Sequence, residues 1–365
     1  MNQTVAETHR VDWVDYAKGI CIVLVVMMHS TLGVEKALGE SGWLSTFIAW
    51  AQPFRMPDFF LLSGLFLSRR IAMPWAGYID RKVVHFLYFY VLWMSVQLAM
   101  KGHGIWAAEG VAGWLQAYGL ALVEPFGTLW FIYLLPVFFV VTKLLRKVPA
   151  LVVFFAAATL EALPIHTGSI LIDEFAARYV YFFAGYWLAG HVFRLASDMD
   201  SLTSQGIIAA LAIWGIVHTQ LFRFDMVGLP GMGLVLGFFG TGAVVTAGVL
   251  LTRFRLGGVF RYLGEHSLVI YLSFFMFMAA SRTVALRLFP DFGSDVISLG
   301  VTLVGVAGPI ILMWLTSGTW LRYLFKRPQW LRFGAQRPAQ LETPAKVWHD
   351  VFYDNSEAND KPLPR

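Results

Sequence analysis

Two side chains in the first apolar stretch of the chain have types and spacing that suit chemistry. Lys18 lies at the start of that stretch, and His29 lies eleven residues further on, deep within it. Eleven residues make about three helical turns, so both side chains share one helix face, ~16 Å apart along the axis. Ionisable groups at such depth are costly and usually functional. The pattern predicts a cation at the mouth of a helix and, inside it, a titratable imidazole that is either a catalytic group or, as the alternative, only a satisfied polar side chain facing the bundle interior.

A second chemical signal is the pair Arg55 and Asp58, which lies between Pro53 and Pro57 in another apolar stretch. Each proline frees a backbone carbonyl, and we expect local unwinding of the helix beside a water-filled cavity. Arg55 and Asp58 are then expected to line that cavity. The alternative is a mutual ion pair between residues i and i+3 that only holds two helices together.

Basic residues cluster at the predicted inner ends of these two stretches. Lys18, Arg69 and Arg70 carry ammonium and guanidinium groups, which match phosphate oxygens. They are therefore candidates for holding a polyphosphate. Arg81 and Lys82 follow in the chain, and for these two we prefer the alternative that they only orient the protein in a membrane.

The composition of the chain requires a membrane. Apolar residues make up 58% of it and charged residues 14%, whereas soluble domains carry about 25% charged residues. The single cysteine, Cys21, excludes an internal disulfide, and no His/Cys cluster has the spacing of metal ligands. The net charge of +5 does not indicate nucleic-acid binding, because the basic residues are distributed as membrane topology requires.

We expect an all-α, polytopic integral membrane protein with about ten transmembrane helices in a membrane domain over residues 1–336. Most of the apolar segments approach the ~20 residues that a crossing helix needs. Their approximate limits are 17–33, 45–67, 81–100, 127–145, 149–165, 176–194, 206–222, 232–252, 267–288 and 296–319. Residues 111–123 are too short to cross and are predicted to be interfacial or re-entrant.

The distribution of Lys and Arg predicts the orientation. Most of the 28 basic residues fall on the inner side when both termini are placed in the cytoplasm. Residues 337–365 are rich in proline and in charged and polar side chains, so they are predicted to be a disordered cytoplasmic tail. No small-residue cleavage site follows the first apolar stretch, which we therefore expect to be retained.

Four motifs of the chain resemble the membrane acyltransferase family 3. They are the Lys18-X10-His29 spacing, Phe-Arg-Met-Pro-Asp-Phe-Phe-Leu-Leu-Ser-Gly-Leu-Phe at 54–66, Gly-Thr-Leu-Trp-Phe-Ile-Tyr-Leu-Leu at 127–135 and Tyr-Leu-Gly-Glu-His-Ser-Leu-Val-Ile-Tyr-Leu at 262–272. The chain is most similar to the branch of fucose 4-O-acetylase-like proteins and uncharacterised inner-membrane acyltransferases. Two positions depart from the family pattern: Lys18 replaces an arginine, and Phe274 stands where a histidine is frequent.

The resemblance implies a ten-helix enzyme of the bacterial inner membrane. Such an enzyme moves an acyl group, usually acetyl, from cytoplasmic acyl-CoA to a hydroxyl of an extracytoplasmic glycan or lipid-linked saccharide. Acyl-CoA is then a co-substrate, and neither a bound cofactor nor a metal is expected. The expected catalytic residues are His29 as general base and Arg55 as oxyanion stabiliser. The expected substrate-binding residues are Lys18, Asp58, Arg69, Arg70, Trp130 and Arg178.

A proton-coupled transporter of a sugar or another small molecule is the alternative function. A proline-containing helix with intramembrane charges and a deep histidine also suits a carrier. Two observations speak against it: the sequence shows no clear internal repeat, and basic residues cluster beside the face that carries Lys18 and His29.

Overall fold

The computed structural model describes residues 11–254 and 258–333, and every regular element in these ranges is helical. The helices are α1 (Asp12–Leu38), α2 (Trp43–Gly64), α3 (Trp75–Ile79), α4 (His85–Lys101), α5 (His103–Ala121), α6 (Trp130–Leu144), α7 (Ala150–Ala162), α8 (Ile170–Trp187), α9 (Ala189–Ser201), α10 (Ser204–Arg223), α11 (Met232–Thr252), α12 (Gly258–Glu265), α13 (Ser267–Leu288) and α14 (Ser294–Thr316). A π-helical turn, Asp80–Val84, joins α3 to α4. The predicted all-α class is confirmed for this part of the chain. The predicted disordered tail, 337–365, lies outside the described residues.

Within the described ranges, seven helical stretches are long and apolar enough to cross a membrane. They are Asp12–Leu38, Trp75–Lys101, Gly127–Lys147, Ser204–Arg223, Met232–Thr252, Ser267–Leu288 and Ser294–Thr316. These match seven of the ten predicted segments. The other three correspond to α2, α7 and α8, which are shorter or less apolar than the seven. The chain is a multi-pass membrane protein, while the count of ten and the cytoplasmic placement of both termini stay predictions.

The sixth predicted segment, 176–194, is not one continuous helix. α8 ends at Trp187, and α9 begins at Ala189 after a break at Leu188 (φ −93°, ψ 15°). α9 is amphipathic, with Ala196 buried and Arg194 exposed. A helix with one polar side fits the edge of the bundle better than its interior, so the chain turns there instead of continuing straight.

α1 lies at the centre of the bundle and packs against α2, α11, α12, α13 and α14. Two glycines permit its contact with α12. A Cβ on Gly19 would lie 2.0 Å from the carbonyl oxygen of Phe260, and one on Gly264 would lie 1.7 Å from that of Asp15. Small residues let helix backbones approach in membranes. Gly264 of the motif at 262–272 therefore holds α12 against the first turns of α1.

α2 and α8 meet in the same way. A Cβ on Gly64 would lie 2.2 Å from the carbonyl oxygen of Phe182, and one on Gly185 would lie 2.0 Å from that of Leu61. The glycine at the end of the motif at 54–66 is therefore a helix-contact residue. This contact fixes α2, which carries Arg55, against the rest of the bundle.

α2 stays helical through both of its prolines, so the predicted local unwinding is wrong. Two polar side chains contact backbone carbonyls of α2 close to Pro53. Arg55 Nη1 donates to the carbonyl of Ile48 at 3.3 Å, and Nε2 of His218 lies 2.9 Å from the carbonyl oxygen of Trp50. The carbonyls that lose their helical partner to Pro53 and Pro57 are those of Ala49 and Pro53, so these two contacts lie beside the freed carbonyls and do not replace the missing hydrogen bonds.

The segment 111–123 runs back along α4. It belongs to α5, which bends at a glycine (φ 65°, ψ −158°) before this arm. Tyr118 Oη lies 3.0 Å from Ser95 Oγ, and further along the arm the carbonyl of Ala121 accepts a hydrogen bond from Tyr90. The partners descend along α4 as the arm advances, so the two run antiparallel. This path favours the re-entrant alternative over an interfacial one.

Candidate active site

His29 lies in the second half of α1 and is half-buried. Its ring faces Phe274 of α13, with centroids 5.3 Å apart and planes inclined by 35°. The charges whose fields act on the imidazole are those of Arg55 on α2 and Lys101 on α4. Within the described ranges the imidazole has no hydrogen bond, so its nitrogens are available to a substrate proton.

Arg55 is held against the turn of α1 that carries His29. It is 7% exposed, and its Nη2 lies 3.1 Å from the sulfur of Met28, the residue that precedes the histidine. Its Nε is buried and has no hydrogen-bond partner in the part of the chain that the structure describes. The role of oxyanion stabiliser expected for Arg55 requires that it lie near the base, and this geometry permits that role. A fixed guanidinium with a spare donor is a suitable partner for an oxygen that becomes negative.

Asp58 points away from Arg55, and the alternative of an ion pair between them is wrong. The Asp58 side chain is 0% exposed, and its Oδ2 lies 3.7 Å from the sulfur of Cys21, two turns before His29 on α1. Its Oδ1 has no hydrogen-bond partner among the residues described. Arg55 and Asp58 therefore contact different levels of α1, and only the arginine lies near the imidazole.

Lys18 lies inside the bundle instead of at an open surface. It is 3% exposed, and its Nζ lies 3.8 Å from Oδ1 of Asp15 one turn earlier. The close packing of α12 on this part of α1 explains the burial, because Gly19 and Gly264 bring the two backbones together. The expected cation is present on the predicted helix face, but it is enclosed and paired.

The loop after α2 presents Arg69 as an exposed and Arg70 as a half-buried side chain. A lysine from α6 anchors this loop. Lys143 is 1% exposed, and its Nζ donates to the carbonyls of Ile71 at 2.8 Å and Met73 at 2.6 Å. The loop that carries both arginines is thus fixed by a buried cation, which the sequence alone identifies only as a topology signal.

The two remaining predicted binding residues lie on α6 and α8. Trp130 packs its ring against Phe60 of α2, with centroids 6.0 Å apart. Arg178 pairs with Glu174 one turn earlier on α8, Nε to Oε2 at 3.0 Å, and its charge acts on Arg55. Arg178 therefore belongs to the surroundings of Arg55, whereas Trp130 shows only an aromatic packing contact.

Lys101 is the site residue that sequence reasoning missed. It ends α4, and its Nζ lies 3.9 Å from the ring centre of Phe275, the neighbour of the phenylalanine that faces His29. In sequence it is one more basic residue at the end of an apolar segment, which is how topology signals look. Its charge acts on His29, which is more than seventy positions away in the chain, so no local pattern indicates the relation.

A small apolar cavity lies one helical turn before His29, on the side toward Lys18. Its lining comes from α1, α2, α6 and α13 and includes Val25, Met56, Phe59, Phe131 and Tyr271. Its volume is about 10 Å³, which is room for about one water-sized group. No group of three or more His, Cys, Asp or Glu side chains gathers as metal ligands would in the described residues.

The structure is a bundle of apolar helices that contains the imidazole of His29 and the buried cations of Lys18 and Arg55. These features define a multi-pass membrane protein with a polar site among its helices. Family comparison specifies the class: a model described as acyltransferase domain matches residues 11–318. The chain belongs to the acyltransferase 3 family. The resemblance drawn from the four motifs is therefore confirmed.

Two curated proteins are similar to parts of the chain. Inner membrane protein YcfT of Escherichia coli K12 is 26% identical over 157 residues, which cover 37% of this chain and 44% of that protein. Nodulation protein NolL of Sinorhizobium fredii is 29% identical over 131 residues, which cover 36% of this chain and 35% of that protein. The chain thus spans less than half the length of either relative. No solved structure matches.

Proposed function

We propose that this protein is an O-acyltransferase of the bacterial inner membrane. It transfers an acyl group, most simply acetyl, from cytoplasmic acyl-CoA to a hydroxyl of an extracytoplasmic glycan or lipid-linked saccharide. Membership of the acyltransferase family supports acyl transfer. The observation that carries the residue assignment is the position of the His29 imidazole, which lies in the fields of Arg55 and Lys101 and has an apolar ring behind it.

In the proposed reaction, neutral His29 accepts the proton of the acceptor hydroxyl while that oxygen attacks the thioester carbonyl. A new C–O ester bond forms, the C–S bond breaks, and the thiolate of coenzyme A takes the proton from the imidazolium. General-base assistance of this kind contributes about 10²–10⁴ in rate. Arg55, whose Nε has no partner in the described chain, stabilises the oxyanion of the tetrahedral intermediate.

The donor is proposed to enter from the end of α1 that carries Lys18. Arg69 and Arg70 lie on the loop that Lys143 fixes, and their guanidinium groups suit the phosphates of coenzyme A. The small apolar cavity beside Val25 lies between that end and His29, so this stretch of the proposed path has apolar walls. Lys18 is buried, so it has little room for direct contact with a phosphate. Its proposed contribution to this path is therefore its positive charge.

The test is acetyl transfer by purified protein in lipid nanodiscs, with radiolabelled acetyl-CoA and a saccharide-lipid extract as acceptor. We expect His29→Ala to lower the rate by about 10²–10⁴, while His191→Ala, which changes an exposed histidine on α9, keeps the wild-type rate. Full activity in a folded His29→Ala protein would contradict the mechanism.

A second measurement addresses the acceptor in cells. Glycans of wild-type and deletion strains are compared by mass spectrometry, and a difference of ~42 Da per acetyl group is expected. Identical glycan masses would contradict the proposal. The transporter alternative is not favoured, because the family comparison identifies an acyltransferase domain over most of the chain.

A further inference from the structure

An open groove of about 440 Å³ lies between the start of α1, the second half of α9 and the end of α11. Ligand pockets in proteins have volumes of about 300–1,000 Å³, so the groove is large enough for a small molecule or a lipid headgroup. Its lining includes Asp12, Trp13, Phe193, Ser197, Asp200 and Val249.

The groove is separate from the candidate active site. Trp13 and His29 are sixteen residues apart on α1, which is ~24 Å along the helix axis and about 160° around it. α11 also packs closely on this end of α1, because a Cβ on Gly248 would lie 2.7 Å from the carbonyl oxygen of Trp13. The groove therefore lies on the other side of α1 from the imidazole, and the proposed acyl transfer does not use it.

The charges and rings that line the groove favour an organic cation. Asp12 and Asp200 both line it, and no basic side chain of the described residues does. The rings of Trp13 and Phe193 meet edge to face in the lining, with centroids 5.9 Å apart, and aromatic rings attract cations. Two carboxylates beside aromatic rings suit an ammonium group better than a hard metal ion, which needs six or more oxygen ligands.

Two arginines lie beside the groove and have different roles. Arg253 fixes the end of α9: its Nη2 donates to the Asp200 carbonyl at 2.5 Å and lies 3.3 Å from Oδ1 of the same residue. Arg261 lies beside Asp12, Nη1 to Oδ2 at 3.7 Å, and its Nε donates to Glu265 at 3.2 Å. Arg261 is exposed, so its guanidinium can also meet an anion at the edge of the groove.

The groove lies at the level of the membrane surface. α11 has 21 residues and crossing hydropathy, and its length of ~31 Å is about the thickness of a hydrocarbon core. Its last residue, Thr252, lines the groove, as does Asp12 at the first residue of the crossing helix α1. A ligand that meets carboxylates and an arginine at this level is expected to carry both signs of charge and to come from the bilayer.

We infer that the groove binds one phospholipid with an ethanolamine headgroup. Its primary ammonium group lies between Asp12 and Asp200, its phosphate meets Arg261, and its acyl chains stay in the bilayer. This inference goes beyond acyl transfer and does not depend on it. A glycerol headgroup brings a phosphate to the carboxylates without a cation to offset it. A choline headgroup has the cation but no N–H to donate to them.

The test measures lipid affinity by native mass spectrometry of the full chain, purified in detergent and delipidated. The probes are dioleoyl phosphatidylethanolamine, phosphatidylglycerol and phosphatidylcholine. We expect the ethanolamine lipid to bind about tenfold more tightly than the other two, as hydrogen bonds to charged groups allow. Asp200→Asn should weaken its binding about tenfold. Ser197→Trp, which places a large side chain in the groove from an exposed position, should abolish it.

Asp198→Asn is the matched control, because Asp198 is an exposed aspartate of α9 that does not line the groove. It makes the same change of charge and should keep the wild-type affinity. Equal affinity for the three lipids, or wild-type affinity in Asp200→Asn, overturns the inference. Free phosphoethanolamine should compete only weakly. Competition as strong as that of the intact lipid would show a site for the soluble headgroup and would overturn the assignment to a phospholipid.

Discussion

The rings of His29 and Phe274 face each other across α1 and α13, with centroids 5.3 Å apart. Phe274 is 0% exposed and has neither a donor nor an acceptor. It therefore fixes the imidazole by packing alone and leaves both ring nitrogens to the substrate. The next residue, Phe275, lies under the ammonium group of Lys101. One turn of α13 thus contacts both the proposed base and Lys101.

Replacing Phe274 should impair catalysis through the position of His29. Phe274→Ala leaves a cavity behind the imidazole, and truncation of a buried phenylalanine costs about 3–5 kcal/mol of stability. We expect kcat to fall about tenfold or more, because small displacements of a catalytic group are costly. Phe274→Leu fills most of the space and should lose less. Both variants are compared by kcat and by melting temperature in nanodiscs, and equal kcat in all three proteins would contradict this role.

The contact between α2 and α8 should not tolerate a side chain at Gly64. Its Cβ would lie 2.2 Å from a backbone carbonyl oxygen of Phe182, which cannot rotate away. Overpacking of this kind costs about 1–3 kcal/mol, and a backbone clash costs more. Gly64→Ala should therefore lower the melting temperature of the purified protein.

Gly190→Ala is the control for this prediction, because a Cβ there meets nothing within 4 Å. It should leave the melting temperature unchanged or raise it slightly, as alanine in place of glycine stabilises an exposed helix. If Gly64→Ala melts together with Gly190→Ala, the close approach of α2 to α8 is not present in the protein.

The segment after α14 should depend on one buried ion pair. Nη2 of Arg327 lies 2.6 Å from Oδ1 of Asp80, and Nη1 donates to the Asp80 carbonyl at 2.6 Å. Burial lowers the pKa of the Arg327 guanidinium, and the Asp80 carboxylate opposes that shift. Removal of one partner of a buried pair leaves an uncompensated charge, which costs about 3–5 kcal/mol. Arg327→Met should therefore destabilise the protein strongly in thermal unfolding.

Arg322→Met tests whether the effect belongs to the pair. Arg322 lies in the same segment but is exposed, so its loss should change stability by less than about 0.5 kcal/mol. The double variant Asp80→Asn, Arg327→Met should recover part of the loss, because no charge then remains buried alone. Equal destabilisation by Arg322→Met and Arg327→Met would show that the buried ion pair contributes no more to the free energy of unfolding than an exposed arginine does.

The sequence predicts the fold well where apolar runs are long. Seven such runs became helices of crossing length in the described part of the chain, because length and hydropathy alone decide them. The break at Leu188 was not predictable in this way, since the apolar run continues across it. It follows from where α9 packs. The contacts of Arg55 and His218 with α2 carbonyls were not predictable either, because His218 lies on α10, far away in the sequence.

The site was predictable only where a polar residue lies inside an apolar run. His29 and Arg55 satisfy that criterion, and the structure brings them close to each other. Asp58 satisfies it too, but it turns toward Cys21, because the direction of a side chain on a bent helix depends on its neighbours. Lys101 ends its apolar run and has no such signal. Its contact with Phe275 depends on α13, which is distant in sequence.

Arg55→Lys should separate charge from geometry at the proposed oxyanion site. The guanidinium contacts the Ile48 carbonyl and the Met28 sulfur through different nitrogens, and its Nε remains for the substrate in the described chain. Lysine keeps the positive charge but presents one ammonium group, which cannot hold two fixed contacts and still donate toward the thioester. We expect kcat to fall about 10²–10³, as for the loss of one oxyanion donor, with little change in KM for acetyl-CoA. Arg223→Lys, an exposed position at the end of α10, is the matched control and should keep the wild-type kcat. A wild-type kcat in Arg55→Lys would mean that Arg55 acts through its charge alone. The proposal that a guanidinium N–H donates to the oxyanion would then be wrong.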